Sequence, residues 1–94
     1  MKEIRPITVG RVVRSKAGRD AGRTFVVTAL EGEDFVWMTD GGLRGLQRPK
    51  KKRKKHLYVT EHVVTGLQER LKAARPVEDH EIRAWLKALA QEEE

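Results

Sequence analysis

The chain of 94 residues contains no cysteine. That absence removes a disulfide framework and any thiolate metal site, and it fits a reducing compartment. Aromatic residues are few: Phe25, Phe35, Trp37, Tyr58 and Trp85. No apolar stretch approaches the ~20 residues that span a bilayer, so no membrane partner is expected. Met1 to Pro6 lack the apolar h-region of a signal peptide, and the expectation is a cytoplasmic chain. His56, His62 and His80 lie apart, none at metal-ligand spacing with another histidine, so no metal site is expected. Ser15 lacks a G-x-S-x-G context, because Val13 and Ala17 stand where the glycines belong. Gly18 and Gly22 are not followed by the Lys-Ser/Thr of a P-loop, and no dinucleotide fingerprint is present. Asp79-His80-Glu81 reads as an acidic helix start and not as a catalytic group. A non-enzyme without cofactors is therefore expected.

What the chain has in plenty is positive charge, unevenly placed. Met1 to His56 carry 15 Lys/Arg against 6 Asp/Glu, a net of +9, whereas Leu57 to Glu94 carry 5 against 8, a net of −3. A basic half of this kind favours a polyanionic partner through counterion release. The plain alternative is charge that only keeps a small domain soluble, but Lys50, Lys51, Lys52, Arg53, Lys54 and Lys55 are six consecutive cations. Like charges at that density repel, so the run is expected to be extended or disordered when unbound. Lysines there act as point charges, adding affinity and salt dependence without base readout. The same string also suits a nuclear localisation signal.

The stretch from Gly10 to Val27, GRVVRSKAGRDAGRTFVV, organises the basic half. Val12-Val13 and Phe25-Val26-Val27 are β-branched and aromatic runs that suit strands. Between them Gly18 and Gly22 accept positive φ at no steric cost, and Arg14, Lys16, Arg19 and Arg23 surround them with one acid, Asp20. Such a loop lets its backbone approach a ligand closely, and arginine forks suit phosphate. An ordinary charged hairpin is the competing reading.

This stretch resembles the KOW motif, the strand-loop-strand unit of several ribosomal proteins and transcription elongation factors. It is similar to the subgroup of ribosomal proteins L14e, L6e and L27e. The matching residues are Gly10-Arg11-Val12-Val13, Ser15, Lys16, Gly18-Arg19-Asp20, Gly22 and Phe25-Val26-Val27, continuing through Thr39-Asp40-Gly41, Leu43-Arg44 and the basic run to His56-Leu57. The resemblance covers about the first 57 residues. It implies an SH3-like barrel, a loop that contacts RNA, and ribosomal RNA as the partner. The expected RNA-binding set is Arg11, Arg14, Lys16, Gly18, Arg19, Gly22, Arg23, Arg44, Arg48 and the six cations from Lys50 to Lys55.

Strands are expected at Thr8–Arg14, Arg23–Leu30, Phe35–Thr39, Leu43–Leu46 and near His56–Tyr58, with Asp40-Gly41 as a hairpin signal. Short strands joined by tight turns point to a small bent antiparallel barrel. Alternation in the third strand separates Phe35, Trp37 and Thr39 from Val36 and Met38, without saying which set faces inward. Phe25, Phe35, Trp37 and Tyr58 are candidates for a base-stacking surface, with core packing the stronger reading for Phe25 and Phe35.

From Thr60 the period becomes helical. Val63, Val64, Leu67 and Leu71 recur at helix spacing, with Thr60 as N-cap, Gly66 as a helix-weakening interruption and Pro76 as the stop. Ile82, Trp85, Leu86 and Leu89 form a second stripe behind the acidic start at Glu78, Asp79 and Glu81, and Glu92 to Glu94 are expected to fray. The fold expected is mainly β with C-terminal α: a five-stranded SH3-like (KOW) barrel over residues 1–59, then a helical hairpin over 60–94. The function expected is non-catalytic RNA binding in translation. The alternative is a protein-interaction module in transcription or translation, acting through the barrel face and the helices. Ribosomal proteins or another protein are then the expected partners of the helices.

Overall fold

Two runs of inward-facing aliphatic residues, offset by one position, set the architecture. In the computed structural model, which describes residues 6–92, β1 (Arg11–Ser15) buries Val13 and Ser15 on one face and Val12 on the other. β2 (Thr24–Glu31) does the same with Phe25 and Val27 against Val26. A sheet apolar on both sides must be covered on both sides.

The first face is covered by the sheet itself. Val13, Phe25, Val27, Val36, Met38 and Leu57 form one buried cluster, with Ile7 packed against it. Val36 and Met38 belong to β3 (Phe35–Thr39) and Leu57 to β5 (Leu57–Val63). These strands are separated by two others in the order β4-β3-β2-β1-β5, where β4 is Lys50–Arg53. Strands stand about 4.8 Å apart, so side chains from β3 and β5 meet only because the sheet curls. Register shifts in β2 between Val27 and Ala29, and in β1 between Arg11 and Val13, mark where it bends. All pairings are antiparallel, but none joins β4 to β5. The sheet is thus not closed, in contrast to the barrel expected.

The second face is covered by α1 (Thr65–Lys72) and α2 (Asp79–Glu92). Val12, Val26, Val64, Leu67 and Ile82 are buried together, with Trp85, Leu86 and Leu89 packed against them. The stripe expected on the second helix therefore faces the sheet. The interruption at Gly66 is a packing contact: a Cβ there would lie 3.0 Å from Cζ2 of Trp85. Among the described residues no helix is long and apolar enough to cross a membrane.

Four expectations are corrected. The strand expected over Leu43–Leu46 does not form, because the Asp40 carboxylate accepts the amides of Gly42 at 2.8 Å and Arg44 at 3.0 Å and closes a loop. The fourth strand comes instead from the basic run, which is ordered as β4 and a 3-10 turn at Lys54–His56. Thr60 is no helix cap; it lies in β5 and its hydroxyl donates to the Val12 carbonyl at 2.6 Å. α1 ends at Lys72, before Pro76, in a Schellman closure: Arg75 N–H to Arg70 carbonyl at 2.8 Å and Ala74 N–H to Leu71 carbonyl at 3.2 Å. Smaller shifts move the start of β1 from Thr8 to Arg11 and the end of β5 from Tyr58 to Val63, past residue 59. The lead-in from Met1 to Arg5 and the fraying of Glu93 and Glu94 lie outside the described residues.

Candidate nucleic-acid interface

The loop between β1 and β2 is held by its own backbone. Gly18 (φ 78°) and Gly22 (φ 84°) take the left-handed conformation that a side chain would resist. They frame a 3-10 turn at Gly18–Asp20. Gly22 N–H donates to the Ser15 carbonyl at 2.8 Å, Arg23 N–H to Asp20 at 2.9 Å, and Ser15 N–H to Arg23 at 3.0 Å. The Ser15 hydroxyl, buried beneath, donates to the Ala17 carbonyl at 3.0 Å. Lys16 and Arg19 are left exposed on a fixed backbone.

Asp20 turns inward. Its carboxylate is buried and ion-paired with Lys50. The Lys50 hydrogen bond is the main cause of a pKa held below the usual carboxylate range; burial opposes it, and the charges of Lys50, Arg44 and Arg23 assist. Two positions on, the Lys52 ammonium donates to the Ala17 carbonyl at 3.1 Å. Lys50 and Lys52 therefore tie β4 to the loop at both ends of its 3-10 turn. Side chains in a strand alternate, so Lys51 and Arg53 point the other way. Lys51 pairs with Glu31, and both cations lie over the Phe35 ring, at 4.7 Å and 4.9 Å from its centroid. This alternation explains how a run of cations forms a strand: neighbours face opposite sides, and each side carries a carboxylate, Asp20 or Glu31. The Glu31 pKa is also lowered, chiefly by Lys51 and then by the Trp37 indole N–H, which donates at 2.9 Å.

The structure gathers Lys16, Gly18, Arg19, Gly22, Lys50 and Lys52 at one place, with Lys16 Nζ 4.8 Å from the centroid of the exposed Tyr58 ring. Arg23 sits beside them, bound to Asp40 at 2.8 Å, and Arg44 is close enough to act on Asp20. Lys54 and Lys55 follow in the 3-10 turn before β5, where the Lys54 N–H donates to the Asp34 carbonyl at 2.8 Å. Five members are placed elsewhere: Lys51 and Arg53 on the opposite side of β4, and Arg11, Arg14 and Arg48. Arg11 donates to the carbonyls of Pro6 and Thr60, each at 3.1 Å. Arg14 lines a small cavity with Thr24, His62 and the α2 residues Leu86, Leu89 and Ala90. Arg48 lies on a groove between its own loop and Pro76–Asp79.

Pairing sorts these cations. Arg23, Lys50 and Lys51 have carboxylate partners. Among the described residues Lys16, Arg19, Arg44, Arg48, Arg53, Lys54 and Lys55 have none. Of these, Lys16, Arg19 and Arg44 leave a positive field on the loop side, of the kind that attracts polyanions. Sequence reasoning passed over Asp20 and Glu31 as partners. The only signal for Asp20 is its solitude, one acid among four cations. Phe35, read mainly as core, is half-buried under Lys51 and Arg53. Phe25 is fully buried as expected. No protein-family model matches the chain.

Proposed function

We propose that the chain is a non-catalytic RNA-binding protein of the translation machinery, working in the cytoplasm. In this reading the curled sheet is a variant of the SH3-like barrel that the KOW resemblance implies. The loop Lys16–Arg23 and the strand Lys50–Arg53 act together as the surface that takes structured RNA, ribosomal RNA in particular. The observation that carries the reading is the double tie of β4 to the loop, Lys50 to Asp20 and Lys52 to Ala17. It assembles cations that are distant in sequence into one fixed surface, with Lys16 and Arg19 left for phosphate. A rigid array of this kind selects the spacing of phosphates on a folded RNA, whereas a mobile tail would not.

The protein-interaction alternative draws on the apolar stripe of the helices. Ile82, Trp85, Leu86 and Leu89 pack against the sheet, so that observation does not favour it. The test is titration of the full chain with ribosomal RNA fragments at several salt concentrations. Binding should weaken steeply with salt, by ~0.7–0.9 in the slope of log K against log[salt] for each phosphate neutralised. Absence of binding, or a slope near zero, refutes the proposal.

A further inference from the structure

The outer face of β3 and β4 carries an arrangement that the loop surface leaves unused. Phe35 and Trp37 are both half-buried and lie two residues apart, on the same side of β3. Their partners across the ladder are Arg53 and Lys51, so two aromatic rings and two cations share one patch. Lys51 Nζ and the Arg53 guanidinium lie 4.7 Å and 4.9 Å from the Phe35 centroid. Glu31 accepts the Trp37 indole N–H and pairs with Lys51, fixing the indole and the ammonium together. Arg53 has no carboxylate partner among the described residues and is exposed. β4 is an edge strand, pairing only with β3 among the described residues.

A ring needed for core packing would be enclosed by aliphatic side chains, as Phe25 is. Here the aromatic surface is instead rimmed by positive charge, and a planar guanidinium lies against a ring with solvent beyond it. We propose that this patch binds an unpaired base of an RNA strand, stacked on the Phe35–Arg53 pair, with Lys51 and Arg53 neutralising the flanking phosphates. The inference rests on the RNA-binding reading above and narrows its ligand to folded RNA with an adjoining single-stranded segment. β4 divides the labour by parity. Lys50 and Lys52 brace the loop surface, while Lys51 and Arg53 serve the stacking face, so one RNA crosses the edge of the sheet between them.

The test uses two RNA probes that share one hairpin, one blunt and one with a short 3′ adenosine extension. Both are titrated against the full chain as wild type, Phe35→Leu and Arg53→Gln. A second readout is the fluorescence of Trp37 in a Trp85→Phe background, where it is the only indole. The extension should tighten wild-type binding about tenfold, the size of one stacked base, and quench Trp37. Phe35→Leu should lose most of that gain and bind the blunt hairpin as wild type does, and in Arg53→Gln the ratio of extended to blunt affinity should fall towards one. If Phe35→Leu does not fold, Arg53→Gln and the Trp37 quenching decide. Normal binding of the blunt hairpin with no gain and no quenching from the extension overturns this inference and leaves the RNA-binding reading standing. Failure of the wild type to bind either probe overturns both.

Discussion

Lys50 and Asp20, thirty positions apart in the chain, form an ion pair that fixes the basic strand to the loop between β1 and β2. The pair shows how a cationic segment becomes ordered: its counter-charge is supplied by the fold. Asp20 is buried, and its carboxylate holds Lys50 in place from beneath the surface.

Acid should loosen this join. The Asp20 pKa is lowered in the folded chain, so between that value and the unfolded value near 4 the unfolded chain binds more protons. Stability therefore rises with pH across the window and is lost as pH falls through the folded pKa. Asp20→Asn should lower stability at pH 7 by about 1 kcal/mol, a charge-assisted bond discounted for screening. It should also flatten the decline below about pH 4. Thermal unfolding of both proteins from pH 7 to pH 2 checks this; identical pH profiles would contradict it.

Ala74 lies in the left-handed region at φ 55°, at the position after the C-cap of α1 where glycine is usual. A Cβ there costs roughly 1–2 kcal/mol, partly offset because glycine raises the entropy of the unfolded chain. Ala74→Gly should stabilise the protein by about 0.5–1 kcal/mol, raising Tm by several degrees. A lower Tm would show that the Schellman geometry is not the constraint.

Gly66 and Trp85 should behave as one packing unit. Alanine is the better helix former, yet a Cβ at Gly66 would press on the indole. Gly66→Ala should therefore bring no gain in Tm, and Trp85→Ala should cost about 2 kcal/mol. In the double variant the two effects should be non-additive. Strict additivity in denaturant titrations would separate the residues.

Apolar spacing was legible from the sequence only in part, since Val63 and Val64, read at helix spacing, lie in β5 and ahead of α1, and charge chemistry was not. β3 and the stripe Ile82, Trp85, Leu86, Leu89 fall where period two and period 3.6 place them, because local repeats need no distant partner. Asp40-Gly41 looks like a hairpin turn, yet the Asp40 carboxylate captures two amides and makes a longer loop. Thr60 carries the hydroxyl of a cap, and that hydroxyl serves the Val12 carbonyl instead. The basic run reads as mobile because its counter-ions, Asp20 and Glu31, lie some twenty to thirty positions away. Within the candidate site the glycines and Lys16, Arg19 and Arg23 stand out from composition. The inward turn of Asp20 and the split of Lys50 to Arg53 between two faces depend on strand pairing, which composition does not encode.

The separation of roles within the basic run gives a further prediction. Lys54→Ser with Lys55→Ser removes two unpaired charges beyond the brace. Affinity for every RNA should fall by a similar factor, and the salt slope should become shallower by ~0.7–0.9 for each phosphate left unneutralised. A change in discrimination between RNAs in this variant would contradict that assignment.

If loop and strand form one recognition surface, discrimination between a cognate structured RNA and a random one depends on both. The ratio of the two affinities is measured for wild type, for Lys16→Ser with Arg19→Ser, and for Lys50→Ser with Lys52→Ser. The loop variant lacks the cations proposed to meet phosphate, while the strand variant keeps Lys16 and Arg19 but lacks the two ties between β4 and the loop. Both should lose discrimination to a comparable degree, and the four substitutions combined should lose little more than either pair. A Lys50/Lys52 variant that retains wild-type discrimination would show that the loop recognises RNA without the strand.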